Sequence, residues 1–114
     1  MKHVSRETWG AKPPPKGKFD KLNKSRVQGV VVHHSGVQNG PKGSAAVKAF
    51  ERHHMGKGWD GIGYNWLVDE TGTIFEGRGW DNRGAGTKGW NSRSISVCFT
   101  GWGGDKPNDN VLRA

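Results

Sequence analysis

The 114-residue chain is poor in cysteine, in carboxylates and in long apolar runs. Its one cysteine, Cys98, rules out an internal disulfide. Lying in SISVCF, it reads as a buried strand thiol. No window approaches the ~18 apolar residues that a membrane span needs. The opening MKHVSRETWGAKPP lacks the apolar core of a signal peptide, so the expectation is cytoplasmic synthesis or a leader already removed. Ten Asp and Glu stand against eighteen Lys and Arg, a formal net charge of +8. No nucleic-acid-binding motif accompanies that charge, so nucleic acid is not the expected partner. There is no internal repeat.

What the chain does have is glycine and tryptophan, 19 and 6 respectively, with 32% hydrophobic residues. Glycine is costly inside helices, so this composition suits a loop-rich α/β or α+β domain better than a helical bundle. The length fits one small domain, 1–114, with a single modest core. The charge is uneven. Residues 1–26 hold eight cations against Glu7 and Asp20, a net of +6. Two readings are open, a solvated segment or attraction to a polyanion, be it nucleic acid, a teichoic-acid-like polymer, or an anionic wall or membrane. Within it, residues 10–25 carry Pro13, Pro14 and Pro15, which exclude helix and central strand and predict an extended basic loop.

The elements follow from pattern. Val30 to Val32 run without polar alternation, which predicts a strand covered on both faces. Asn39, Gly40, Pro41 and Gly43 predict a loop. Ser44 is the expected N-cap of a short helix carrying Val47, Phe50 and His54 on its apolar side, with Gly56 as its stop. In GYNWLVDETGTIFEGR, Tyr64, Trp66 and Val68 alternate. A turn at Glu70, Thr71 and Gly72 then returns through Ile74 and Phe75, which predicts a β-hairpin. A Gly-rich surface loop follows, then a strand in SISVCFTG with Ile95, Val97 and Phe99 on one face. KPNDNVLRA reads as a helix beginning at Asn108 or Asp109.

Five histidines are the natural metal-ligand candidates. On a strand His33 and His34 point to opposite faces, and on a helix His53 and His54 diverge by about 100°. Neither pair is a two-ligand motif of the HExxH type. His33 is thus open to two roles, metal ligand or hydrogen-bonded structural residue, and His54 reads as a satisfied core histidine. Tyr64 is open to a core or a catalytic role. Glu76 is expected to pair with Arg78.

Taken together, VSRETWGAKPP, VVVHHSG, GWDGIGYNWLVDETGTIFEGRGW and GTKGWNSRSISVCFTG resemble the peptidoglycan recognition proteins and the type 2 N-acetylmuramoyl-L-alanine amidases, phage lysozymes of the amidase kind included. The resemblance runs in order from Val4 to about Gly101. It implies a mixed α/β fold, a central mixed β-sheet flanked by helices, with a zinc-bearing groove for peptidoglycan. The implied reaction is hydrolysis of the amide between N-acetylmuramic acid and L-alanine. His33 matches the family's first zinc ligand and Tyr64 its catalytic tyrosine. Trp66, Trp90, Asn91 and Arg78 are the expected substrate contacts, and the basic charge suits muropeptide and other anionic wall polymers. An endolysin acting on the cell wall is the expected setting.

Two departures qualify what the resemblance implies. The loop position where many members carry a histidine reads here as Gly86, or Thr87 with a small shift. The other two zinc ligands of the family lie beyond a helix that only begins before Ala114, and Cys98 matches a mid-strand position instead. A longer chain, a partner chain, or a non-catalytic peptidoglycan-binding module each accommodates one ligand of three.

Overall fold

The computed structural model describes residues 2–34 and 42–100. The Asn39–Pro41 loop, Trp102 and the helix expected from Asn108 lie outside the described residues.

The elements are β1 (His3–Val4), α1 (Arg6–Trp9), a 3-10 turn (Lys24–Arg26), β2 (Gly29–His34), α2 (Gly43–Gly56), β3 (Trp66–Val68), β4 (Ile74–Glu76) and β5 (Ser94–Phe99). The strands form one mixed sheet in the order β1-β4-β3-β5-β2. Among the described strands only β3 and β4 pair antiparallel, Leu67 opposite Phe75, because the Glu70–Gly72 turn joins them directly. Asp69 Oδ1 fastens that turn, accepting the backbone N–H groups of Thr71 and Thr73 at 2.9 and 3.0 Å. The remaining pairings are parallel.

Register sorts the side chains into two faces. Val4, Phe75, Leu67, Cys98 and His33 are aligned across neighbouring strands and share one face. Val47 of α2, Ile62 and Trp9 join the apolar members there to make the buried core. Each such fully buried side chain contributes about 1.5–3 kcal/mol by leaving water. At the sheet's edge α1 is stitched to β4. Ser5 caps the helix through Thr8 N–H, Trp9 Nε1 donates to the Glu76 carbonyl at 2.8 Å, and Glu76 Oε1 accepts Arg6 N–H at 3.0 Å.

Three expectations need correction. Val30 and Val32 are not covered: they are 61% and 74% exposed. They sit on the end strand of the sheet and face away from the core that α2 completes, so an unbroken valine run here reflects parallel pairing with β5 rather than burial on both sides. Ser44 is not the cap of α2. The helix already begins at Gly43, with Lys42 in the cap position and no side-chain cap bond. Finally, Glu76 and Arg78 do not pair. Glu76 turns to α1, and Arg78 is buried, donating from Nε to the Ile62 carbonyl and from a terminal nitrogen to the Arg83 carbonyl, both at 2.8 Å.

Candidate functional site

His33 and Tyr64 are brought together from positions far apart in the chain. His33 ends the core-facing side of β2, and Tyr64 stands just before β3. Their ring centroids are 5.4 Å apart at a 50° tilt. Next to them is His54, from the last turn of α2, with its ring edge-on to Tyr64 at 5.4 Å and against Trp59 at 4.5 Å.

Each group has a defined partner. His33 Nε2 lies 2.7 Å from Thr87 Oγ1, and the Thr87 backbone N–H donates to Asn91 Oδ1 at 2.9 Å. His54 Nδ1 accepts the Gly63 N–H at 2.8 Å. Gly86 lies against the Tyr64 ring: a Cβ there would stand 3.0 and 3.1 Å from two ring carbons.

Burial dominates the electrostatics. It lowers the His33 pKa, with the His34 charge second. It brings His54 down to about 4, helped by His53, Lys57 and Arg78. It pushes the Tyr64 phenol well above its ordinary value and the Cys98 thiol up to about 12. At neutral pH the site therefore presents neutral imidazoles and a protonated phenol, which donates but does not act as a base.

A cleft of about 260 Å³ opens beside Trp59. Its walls carry Asp20, Asp60, Arg78, Arg83 and Asn91, a mixed set of charges with amide and indole surface. Lys16 bridges the two aspartates at 2.9 and 3.1 Å. Of the residues expected to contact substrate, Arg78 and Asn91 line this cleft. Trp66 does not. Its register places it on the opposite face of the sheet, where it lines a separate cleft of about 280 Å³ with His3, Ser5, Thr8 and Glu76, and packs on Trp80. Trp90 is 39% exposed, with the Arg93 guanidinium 3.7 Å from its ring centre.

Sequence pattern gave no hint of Asn65. It is fully buried beside Tyr64. Its Nδ2 donates to the carbonyls of Gly79 and Asn82, and its Oδ1 accepts the N–H and hydroxyl of Ser96. One side chain thus ties β3, β5 and the 79–82 loop.

A structural or catalytic zinc needs at least three protein ligands. Among the described residues no group of three His, Cys, Asp or Glu side chains could hold a metal. His33 stands alone with one ring nitrogen engaged by Thr87, so the described donor set does not fit a zinc centre.

Comparison with known proteins places this geometry. The family model described as N-acetylmuramoyl-L-alanine amidase matches residues 23–114. Peptidoglycan-recognition protein SC1a/b of Drosophila simulans is 31% identical over 112 residues, 92% of this chain and 59% of that protein. The N-acetylmuramoyl-L-alanine amidase of Mus musculus is 38% identical over 88 residues, 71% of this chain and 17% of that protein. The chain thus spans less than two thirds of the length of these curated relatives. Among solved structures, the complex of peptidoglycan recognition proteins LCa and LCx bound to tracheal cytotoxin superposes with a TM-score of 0.86 at 37% identity, covering 99% of this chain and 70% of that one. Peptidoglycan recognition protein-LE in complex with tracheal cytotoxin gives 0.86 at 30% identity, covering 96% and 66%. With a family match over most of its length and the same fold as these structures, the chain belongs to the peptidoglycan recognition protein and type 2 N-acetylmuramoyl-L-alanine amidase family.

Proposed function

We propose that this domain binds the muropeptide unit of peptidoglycan in the cleft beside Trp59, with Tyr64 and His33 at its inner margin. The observation that carries this reading is that Asn91, which lines the polar cleft with Arg78 and Arg83, also holds Thr87, the partner of His33 in the His33–Tyr64 pair. A muropeptide offers carboxylates, amides and sugar hydroxyls, and such a wall answers each with a cation, an amide or an indole. Relatives LCa/LCx and LE, each solved bound to tracheal cytotoxin, support it.

The finer proposal is that the domain is the His33- and Tyr64-bearing part of a zinc-dependent amidase that cleaves the bond between muramic acid and L-alanine. In that role the neutral Tyr64 phenol donates to the amide oxygen as negative charge develops there. The rival reading is a non-catalytic binding module; the described residues supply one candidate ligand, His33, and no group of three. The relatives named above are animal proteins, which lend no support to a phage-lysis setting. Among the described residues no helix is long and apolar enough to cross a membrane.

Calorimetric titration with a purified muropeptide, followed by mass spectrometry for released stem peptide with and without zinc, tests both levels. Saturable binding is expected. Release that requires zinc and drops about 100-fold in Tyr64→Phe supports the amidase, and binding without release assigns the module. A chain that binds no muropeptide overturns the proposal.

A further inference from the structure

His54 is a buried polar residue that the reading above leaves without a task. It is 6% exposed, and the turn after α2 brings the segment that precedes β3 back against it. Three contacts converge on one short stretch of backbone. Nδ1 of His54 accepts the N–H of Gly63, the residue immediately before Tyr64, at 2.8 Å. The ring stands edge-on to the Tyr64 ring. Its other side meets Trp59, which lines the cleft.

The backbone around Tyr64 has little freedom to adjust. Gly63 has no room for a side chain, because a Cβ would stand 2.6 Å from the Trp59 ring, and a Cβ at Gly86 would stand 3.0 Å from the Tyr64 ring. The next residue, Asn65, is locked by its own four hydrogen bonds. His54 therefore holds the Gly63 N–H, one of three bonds that set where the Tyr64 Cα sits, beside the Ala85 N–H on the Gly63 carbonyl at 2.8 Å and the Arg78 N–H on the Tyr64 carbonyl at 2.9 Å. A small shift of that atom moves the far end of a phenol by more, and misplacement by about 1 Å is enough to cost a reacting group much of its effect.

We propose that His54 is a positioning residue for Tyr64, holding the Gly63 N–H through Nδ1 and backing the phenol with its ring, so that Tyr64 meets ligand in one fixed pose. The inference rests on the functional role given to Tyr64. It requires the proton of the neutral ring to sit on Nε2, since Nδ1 is the acceptor.

Two substitutions separate the acceptor from the ring. His54→Phe keeps an aromatic ring and removes the acceptor. His54→Asn puts an oxygen close to the Nδ1 position. In His54→Phe the Gly63 amide is expected to exchange with solvent at least ~10-fold faster, with displaced Tyr64 ring resonances, and in His54→Asn protection returns to within ~3-fold of the parent. Unchanged Gly63 exchange and Tyr64 resonances in His54→Phe overturn the proposal, as does a His54→Asn variant no better than His54→Phe. A measurement on the unsubstituted protein needs no variant to fold: imidazole nitrogen shifts should report the Nε2–H tautomer of His54, and an Nδ1–H tautomer overturns the proposal. Tyr64→Phe separates the two levels. If it leaves muropeptide affinity and hydrolysis at the parent level, the reading of Tyr64 fails, while Gly63 exchange still decides the positioning.

Discussion

The His33 imidazole is joined to the Thr87 hydroxyl across 2.7 Å, and Thr87 is in turn held by the Asn91 side chain. The loop where many family members carry a histidine is here latched onto the end of β2 through a threonine. Asn91, expected to reach ligand, spends its Oδ1 inside the protein on this latch.

Removing the latch should loosen the loop at modest thermodynamic cost. Thr87→Val keeps the shape and deletes the hydroxyl, leaving His33 Nε2 without its partner. The expected loss is about 1 kcal/mol, and Thr87→Ser should recover most of it. Urea denaturation of the three proteins decides the point. Equal midpoints for parent and Thr87→Val would show that the contact contributes nothing.

Asn65 should be far less tolerant. Its side chain satisfies four buried polar groups, and Asn65→Ala abandons two carbonyls, an N–H and a hydroxyl together. Each buried group left unpaired costs about 1–3 kcal/mol, so a loss of roughly 3 kcal/mol or more is expected. Asn65→Asp should fail nearly as badly, because the carboxylate cannot donate to the Gly79 and Asn82 carbonyls. A loss under about 1 kcal/mol in Asn65→Ala would contradict the hub role.

Gly86 is a closer test of the site itself. An added methyl would crowd the Tyr64 ring, so Gly86→Ala should displace the phenol at a cost of about 1–3 kcal/mol. Weaker muropeptide binding should accompany it. Retained stability and unchanged Tyr64 resonances would mean that the loop yields instead.

Acid should destabilise the fold through His54. Burial first, then the charges of His53, Lys57 and Arg78, hold its pKa at about 4 against an ordinary 6.5. The unfolded chain therefore takes up this proton first as the pH falls. The contribution is whole above 6.5, declines between 6.5 and about 4, and is fully lost below that. A shift of this size corresponds to on the order of 3 kcal/mol. The stability difference between the parent and His54→Asn should shrink by about that amount across this window. A difference that stays constant with pH would refute it.

The sequence carried local structure well and long-range partnership poorly. The alternation of Trp66 and Val68, the Glu70–Gly72 turn and the return through Phe75 are one contiguous signal, and the hairpin follows it. The strand parity that parted His33 from His34 also held, with His34 exposed. Burial of Val30 and Val32 could not be read from a valine run, because it depends on what packs over the strand. His54 was legible as a satisfied core histidine from its place on the helix. Its acceptor role was not, since the Gly63 N–H belongs to a different element. The pairing of His33 with Tyr64 came only from the family resemblance, as no spacing rule links a residue of β2 to one that precedes β3.

The order of strands has a consequence for how the site comes into being. Among the described residues β2 pairs with β5 alone, so Gly29 must wait for Ser94 and His33 for Cys98. During synthesis the first half of the chain therefore emerges with an unsupported valine strand and no fixed place for His33. Closing so long a loop is slow, and until it closes that strand is open to wrong partners. The hairpin joins residues close in sequence, whereas bringing His33 beside Tyr64 needs β5 in place between its two parallel neighbours, β3 and β2.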